Sequence, residues 1–438
     1  MVSRVGHLRE AAGRTRPWQR RLLLMVAFAV VALPLVATKA VQHRQLSPFD
    51  EWQYADRVHQ VMEGDLVIRD GEEISPWGQR LLTCRGIETI VPPADCRPEP
   101  KVRHTTNSAA SDPPTYFWAT GAVAEAATLT GVVDNPVTAG RLVGVLWAAL
   151  GMWSVWVLSR AVGATRAASA TASIAVTTVP VFLMQYHYMT PHALDVPVGA
   201  FVALATLRFL RREWAWWTLV VGGFLVAFVK GTNLTIAVAM CLAMLVLALW
   251  PSDHFPRQLR MRALVGSLVL GVSSVALTGV WLVIVGAMRF AEVAPPGDYA
   301  ATTLDPALLM LDSTRFVGPV VGHGTVLLGT MLMAALTGSA LAVWGGSGHR
   351  KAPLLRPVAA GYFLGAVVSP IVLVVLVFVS SDQYVPIQYR YGLALWPLGL
   401  ALAAWLLLRT RTALIVSWLL LAAYVVLPWW LELTPVNF

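Results

Sequence analysis

Uninterrupted apolar runs of about 17–25 residues recur along this chain, the length at which an α-helix crosses the hydrocarbon core of a bilayer. Of its 438 residues, 57% are hydrophobic and 13% charged. A soluble domain of this size carries roughly twice that charged fraction, so a water-soluble globular protein is excluded. A transmembrane barrel is excluded as well, because its strands alternate in polarity over about 10 residues instead of running continuously apolar. The fold class expected is an all-α polytopic membrane protein.

The net charge of +9 raises a nucleic-acid partner, and the distribution of that charge rules against one. The basic residues, 29 Arg and four Lys, sit mostly in short clusters between apolar runs. That is the positive-inside pattern of cytoplasmic loops and not a binding face. Eleven spans are read, near 22–41, 138–159, 167–185, 194–210, 215–230, 233–250, 263–285, 320–343, 358–379, 391–408 and 413–430. With a basic N-terminus (residues 1–21) inside, the even connections hold Arg160 and Arg166, then Arg208, Arg211 and Arg212, then Arg257, Arg260 and Arg262. Arg350, Lys351, Arg356, Arg409 and Arg411 fall on the same side. Together with the N-terminus these connections carry 19 of the 33 basic residues and three of the 24 acidic ones.

The organisation expected is therefore a first helix at 22–41 and a long outside loop at 42–137. Helices two to seven follow over 138–285, a second outside loop at 286–319, and helices eight to eleven over 320–438 with the C-terminus outside. The location implied is the plasma or inner membrane. Cys84 and Cys96 both lie in the first outside loop, in an oxidising compartment, and are a disulfide candidate. Two free thiols remain the alternative.

Chemistry-bearing residues gather on the outside face. Asp50 and Glu51 follow Pro48 about nine residues beyond the first span, where a carboxylate can take a proton from a hydroxyl or hold a cation against phosphate. Read by spacing alone, two such acids are more often a solvated pair at a helix start. Ser111-Asp112-Pro113-Pro114-Thr115-Tyr116-Phe117-Trp118 leads an apolar stretch suited to lying along the interface. Between spans three and four stand His187, His192 and Asp195; a helix cap accounts for Asp195, and metal ligation is the sharper reading of the three. Lys230 and Arg390 are basic residues on the outside half, against the charge rule. Snorkelling to the interface explains each alone, and a bound phosphate explains both.

In this order the residues resemble the GT-C superfamily of integral-membrane glycosyltransferases, near the branch related to protein mannosyltransferases and lipid-A aminoarabinose transferases. The likeness runs from Leu22 to about Trp250 and resumes around Arg390. It rests on Asp50-Glu51, the Pro113-Pro114-Thr115-Tyr116-Phe117 lead, Arg141 opening span two, Asp195, Lys230, and Arg390-Tyr391 with Leu395-Trp396-Pro397. One departure stands out: Asp112 precedes the proline pair, where the family often has His or Lys.

The resemblance implies a GT-C bundle and transfer of a sugar from a polyprenyl-phosphate donor to a glycan, lipid or protein acceptor by inverting displacement. Asp50 would be the general base or metal-assisting residue with Glu51 beside it, and Lys230 and Arg390 would hold the donor phosphate. Asp195, His187, His192, Tyr116 and Arg141 are candidates for contacting substrate or metal. The cofactor stays open, a divalent cation (Mg or Mn) at Asp50 and Glu51 being one option. A transporter or flippase of polyprenyl-linked glycans, or a non-catalytic envelope-assembly protein, are the rival readings. The nearly charge-free span centres and the lack of an internal repeat weigh against transport.

Overall fold

The computed structural model describes residues 17–430 apart from 49, 68, 70, 89, 95–105, 251–254, 289–315, 317–324, 347–352, 382–383, 385–387 and 409. Cys96 and most of the second outside loop (289–315 and 317–319) thus lie outside the described residues.

Helix α1 spans Pro17–Gln42. Among its described residues, the long loop after it carries three α-helices, α2 (Glu51–Met62), α3 (Pro76–Arg85) and α4 (Thr115–Leu129). The bundle continues with α5 (Pro136–Ala161), α6 (Arg166–Thr178), α7 (Pro180–His187), α8 (Asp195–Leu210), α9 (Trp217–Val229), α10 (Leu234–Leu249) and α11 (Arg257–Ala287). It closes with α12 (Thr325–Gly345), α13 (Leu355–Ser381), α14 (Trp396–Leu406) and α15 (Arg411–Trp430). Among the described residues there are no strands, only isolated bridges such as Leu46 to Ile87 in the long loop.

The protein is an all-α, multi-pass membrane protein. Among the described residues, six helices are long and apolar enough to cross a bilayer, and a seventh if α6 and α7 form one bent span. The count of eleven expected from the sequence is not confirmed. The break between α6 and α7 bends by 62°. Its cause is local: Pro180 opens α7 and forces Val179 before it into an extended conformation, with ψ at 127°.

Local signals set the other starts. Asn135 caps α5 by accepting from the Val137 and Thr138 amides, with Pro136 at the first helical position. Ser75 and Pro76 do the same for α3.

Helix α5 is the hub, touching α1, α4, α6, α7, α8 and α14. Lipid tails offer helices no hydrophobic drive to associate, so close approach depends on small residues. On α13, Gly361 and Gly365 face Ala239 and Ala243 of α10, and a Cβ on either glycine would meet an alanine Cβ at 2.4 Å. Gly144 of α5 lies under the Tyr186 carbonyl, where a Cβ would come within 1.7 Å of its oxygen.

The connections sort to two ends of the bundle. At one, Arg211 donates to the Ala161 carbonyl, Arg262 to that of Phe209, and Arg212 to Gln258. At the other, the long loop lies over the corners before α8, between α9 and α10, and before α14.

Candidate functional site

Helix α2 organises that second end. Its cap, Asp50, has a left-handed backbone at φ 61° and ψ 11°, uncommon for a residue with a side chain, and makes no side-chain capping bond. Its carbonyl still accepts from the Gln53 and Tyr54 amides. The turn sends the two neighbouring acids in different directions. Asp50 keeps a side chain 43% exposed, while that of Glu51 is 1% exposed.

Glu51 takes Arg141 side-on, Oε1 to Nε at 2.7 Å and Oε2 to Nη2 at 2.8 Å. It also accepts from the Met189 amide at 3.1 Å and the Ser47 amide at 2.7 Å. Four donors fill the roughly four lone-pair positions of a carboxylate. Arg141 spends its remaining donors on the carbonyls of His43 and Gln45. The pair ties the end of α1, the start of α2, α5 and the corner before α8 together.

Asp50 faces Arg390, whose Nη2 stands 3.4 Å from its Oδ2. Arg390 belongs to a short 3-10 turn, Tyr389–Gly392, that packs against the turn Gly231–Asn233. One turn along α2 from Asp50, the Tyr54 hydroxyl lies 3.4 Å from Lys230 Nζ. Burial pushes this phenol's pKa up, with the Lys230 charge working the other way. Lys230 itself holds Asp112, at 2.7 Å to Oδ1 and 2.6 Å to Oδ2.

Beneath these pairs, His192 Nδ1 and Asp195 Oδ2 are 2.7 Å apart, both side chains 1% exposed. The His192 ring stacks on Tyr391, centroids 5.7 Å apart. Asp195 stands in the first turn of α8 and is not its cap residue, so the capping reading of this acid does not hold. The Asn233 side chain lies close to Asp195, although the Asp195 Oδ1 and the Asn233 carboxamide stand outside ordinary hydrogen-bond geometry.

The structure thus brings Asp50, Lys230, Arg390, His192 and Asp195 to one region. It sets other candidates apart. His187 Nδ1 donates to the Leu183 carbonyl and the ring stacks on His43 at 5.2 Å, away from His192. Tyr116 is buried and accepts from the Thr190 amide at 2.9 Å, fixing the corner from below. Arg141 reaches Glu51 and carbonyls as described. Cys84 is disulfide-bonded and Cys241 is free.

Sequence reasoning gave Asp112 no role beyond its departure from the family pattern and assigned none to Tyr54. It missed Arg57 altogether. Arg57 donates to the Ala109 carbonyl and, at 2.8 Å, to that of Asp112, while lying over the Phe117 ring. That contact holds the 108–112 segment against α2. The signal available was Arg57 itself, a charge on a helix otherwise reading as half apolar.

A cation at Asp50 and Glu51 together does not fit these donors, since Glu51 has no lone pair left for one. Among the described residues, no three His, Cys, Asp or Glu side chains gather to ligate a metal. An ion at Asp50 alone would draw its other ligands from phosphate and water, as Mg commonly does.

Residues 111–281 match the dolichyl-phosphate-mannose-protein mannosyltransferase family. The matched stretch begins at the loop carrying Asp112 and takes in Arg141, Asp195 and Lys230. No curated protein matches the chain. The match supports a GT-C superfamily membrane glycosyltransferase, a class that implies a lipid-linked sugar donor and an acceptor.

Proposed function

We propose that the protein transfers a sugar from a polyprenyl-phosphate donor to a hydroxyl of a cell-envelope glycan, lipid or protein on the outer face of the membrane. The observation that carries this is the meeting of an exposed carboxylate, Asp50, with two nearly buried cations, Arg390 and Lys230, at the loop end of the bundle. Ionisable groups at such depth are costly and mark a site for charged ligands.

The acceptor hydroxyl gives its proton to Asp50 as its oxygen attacks the anomeric carbon. The bond from that carbon to the phosphate oxygen breaks, and the electron pair leaves with polyprenyl phosphate. Attack from the face opposite the leaving group inverts the anomeric centre. Arg390 and Lys230 meet the charge that grows on the departing phosphate, at the stage where preorganised cations help most. Glu51 does not act on substrate; it fixes the start of α2, and so Asp50, through Arg141.

The test is transfer from a radiolabelled polyprenyl-phosphate sugar by purified protein. Asp50→Asn is expected to lower turnover by about 10²–10⁴-fold, the usual worth of a general base. Because the Asp50 side chain is 43% exposed and makes no capping hydrogen bond, folding should persist. Full activity of that variant rejects the assignment. Movement of a lipid-linked glycan across liposomes without sugar transfer would favour the transporter reading instead.

A further inference from the structure

We propose that Asp112 is the resident counter-ion of Lys230, which an incoming phosphate must displace, and that it thereby speeds release of the phosphomonoester product. The inference rests on the reading in which Lys230 holds the phosphate of a lipid-linked donor.

Both carboxylate oxygens of Asp112 lie within 2.7 Å of Lys230 Nζ, so the ammonium is occupied by an anion of this chain's own. The exchange asks little of the backbone. The Asp112 amide donates to the Ala109 carbonyl, its carbonyl accepts from Arg57, and Trp281 Nε1 donates to the neighbouring Ser111 carbonyl. Pro113 and Pro114 follow and hold the exit in a fixed direction. Lys230 is anchored separately, in the extended link between α9 and the next turn, where its carbonyl accepts from Asn233. Only side-chain rotation is needed for Asp112 to leave the ammonium.

The charges give the step a direction. A polyprenyl-phosphate sugar is a phosphodiester with one negative charge, so its arrival exchanges one monoanion for another. Transfer leaves a phosphomonoester, which carries nearly two negative charges at neutral pH. Asp112 stays tethered close by and repels the product more than the donor. Returning to Lys230, it competes the product off. A site competent in only a fraction of molecules binds more weakly by that fraction.

The experiment measures binding of farnesyl phosphate, a monoester, and its methyl ester, a diester, to the purified full-length protein in detergent. Asp112→Asn, nearly isosteric, should tighten monoester binding about tenfold by freeing the ammonium, and diester binding by less. Asp112→Glu keeps the negative charge and strands no lysine, so it should bind the monoester as weakly as the wild type. Lys230→Gln should weaken both ligands and abolish the gain when combined with Asp112→Asn, as a double-mutant cycle requires.

If Lys230→Gln weakens binding while Asp112→Asn does not tighten it, the counter-ion role fails and the phosphate site stands. Tight binding by Asp112→Glu overturns the role too, by removing charge as the cause. If Lys230→Gln binds as the wild type does, the phosphate site itself falls, and the inference with it.

Discussion

At the scale of single residues, the adjacent acids Asp50 and Glu51 divide into a half-exposed side chain and a buried, fully paired one. The division follows from one left-handed residue at the start of α2. Their presence was legible in the sequence, and so was Arg141 as a charge in an apolar context. Their pairing was not. Glu51 and Arg141 are 90 positions apart, Lys230 and Asp112 118, and Arg390 and Asp50 340, and no local pattern encodes such partners. The pairing predicts opposite behaviour for two isosteric changes. Glu51→Gln leaves the buried Arg141 charge without its counter-charge, a change that costs about 3–5 kcal/mol in buried pairs. Its thermal unfolding midpoint in detergent should fall well below that of Asp50→Asn, which should unfold near the wild type while losing transfer. Equal midpoints would mean that Glu51 is not the anchor its four hydrogen bonds describe.

At the scale of elements, close backbone contacts place the cations. Gly199 on α8 lies against the Ala394 carbonyl, where a Cβ would stand 1.9 Å from the oxygen. This contact seats the segment running from Arg390 to α14 directly over the start of α8, and thus over Asp195. Apolar run lengths told where helices would be, since their hydrophobicity is local. They did not tell which glycines touch which carbonyls, nor that α6 and α7 bend at Pro180 although the proline itself was in plain view. Gly199→Ala is expected to push the Arg390 segment off α8. Overpacking of this kind costs about 1–3 kcal/mol, and KM for the lipid-linked donor should rise as Arg390 leaves Asp50. Gly365→Ala crowds Ala239 of α10 comparably, with a Cβ at 2.4 Å, but in the body of the α10–α13 contact. It should lower the unfolding midpoint and leave that KM unchanged. A KM that moves equally in both variants would show a general loss of packing in place of a displaced cation.

At the scale of the whole molecule, the charge asymmetry read from the sequence corresponds to two real ends of the bundle. Arg160, Arg211, Arg212 and Arg262 satisfy carbonyls and each other's neighbours at one end, and the acids with Lys230 and Arg390 collect at the other. The positive-inside rule predicts a cytoplasmic basic end, an orientation that would put the candidate site outside, where the proposed lipid-linked donor and envelope acceptor would meet. Two exposed positions test the orientation. Asp134 precedes α5 on the site end, and Ala167 sits in the first turn of α6 beside Arg166 on the basic end. In a Cys241→Ala background, with Cys84 already in a disulfide, a membrane-impermeant maleimide added to intact cells should label Asp134→Cys and spare Ala167→Cys until the membrane is opened. The reverse pattern would turn the site to the cytoplasm, where sugar nucleotides are at hand and the physical reason for a lipid-linked donor disappears. The sidedness measurement therefore bears on the choice of donor as directly as it does on topology.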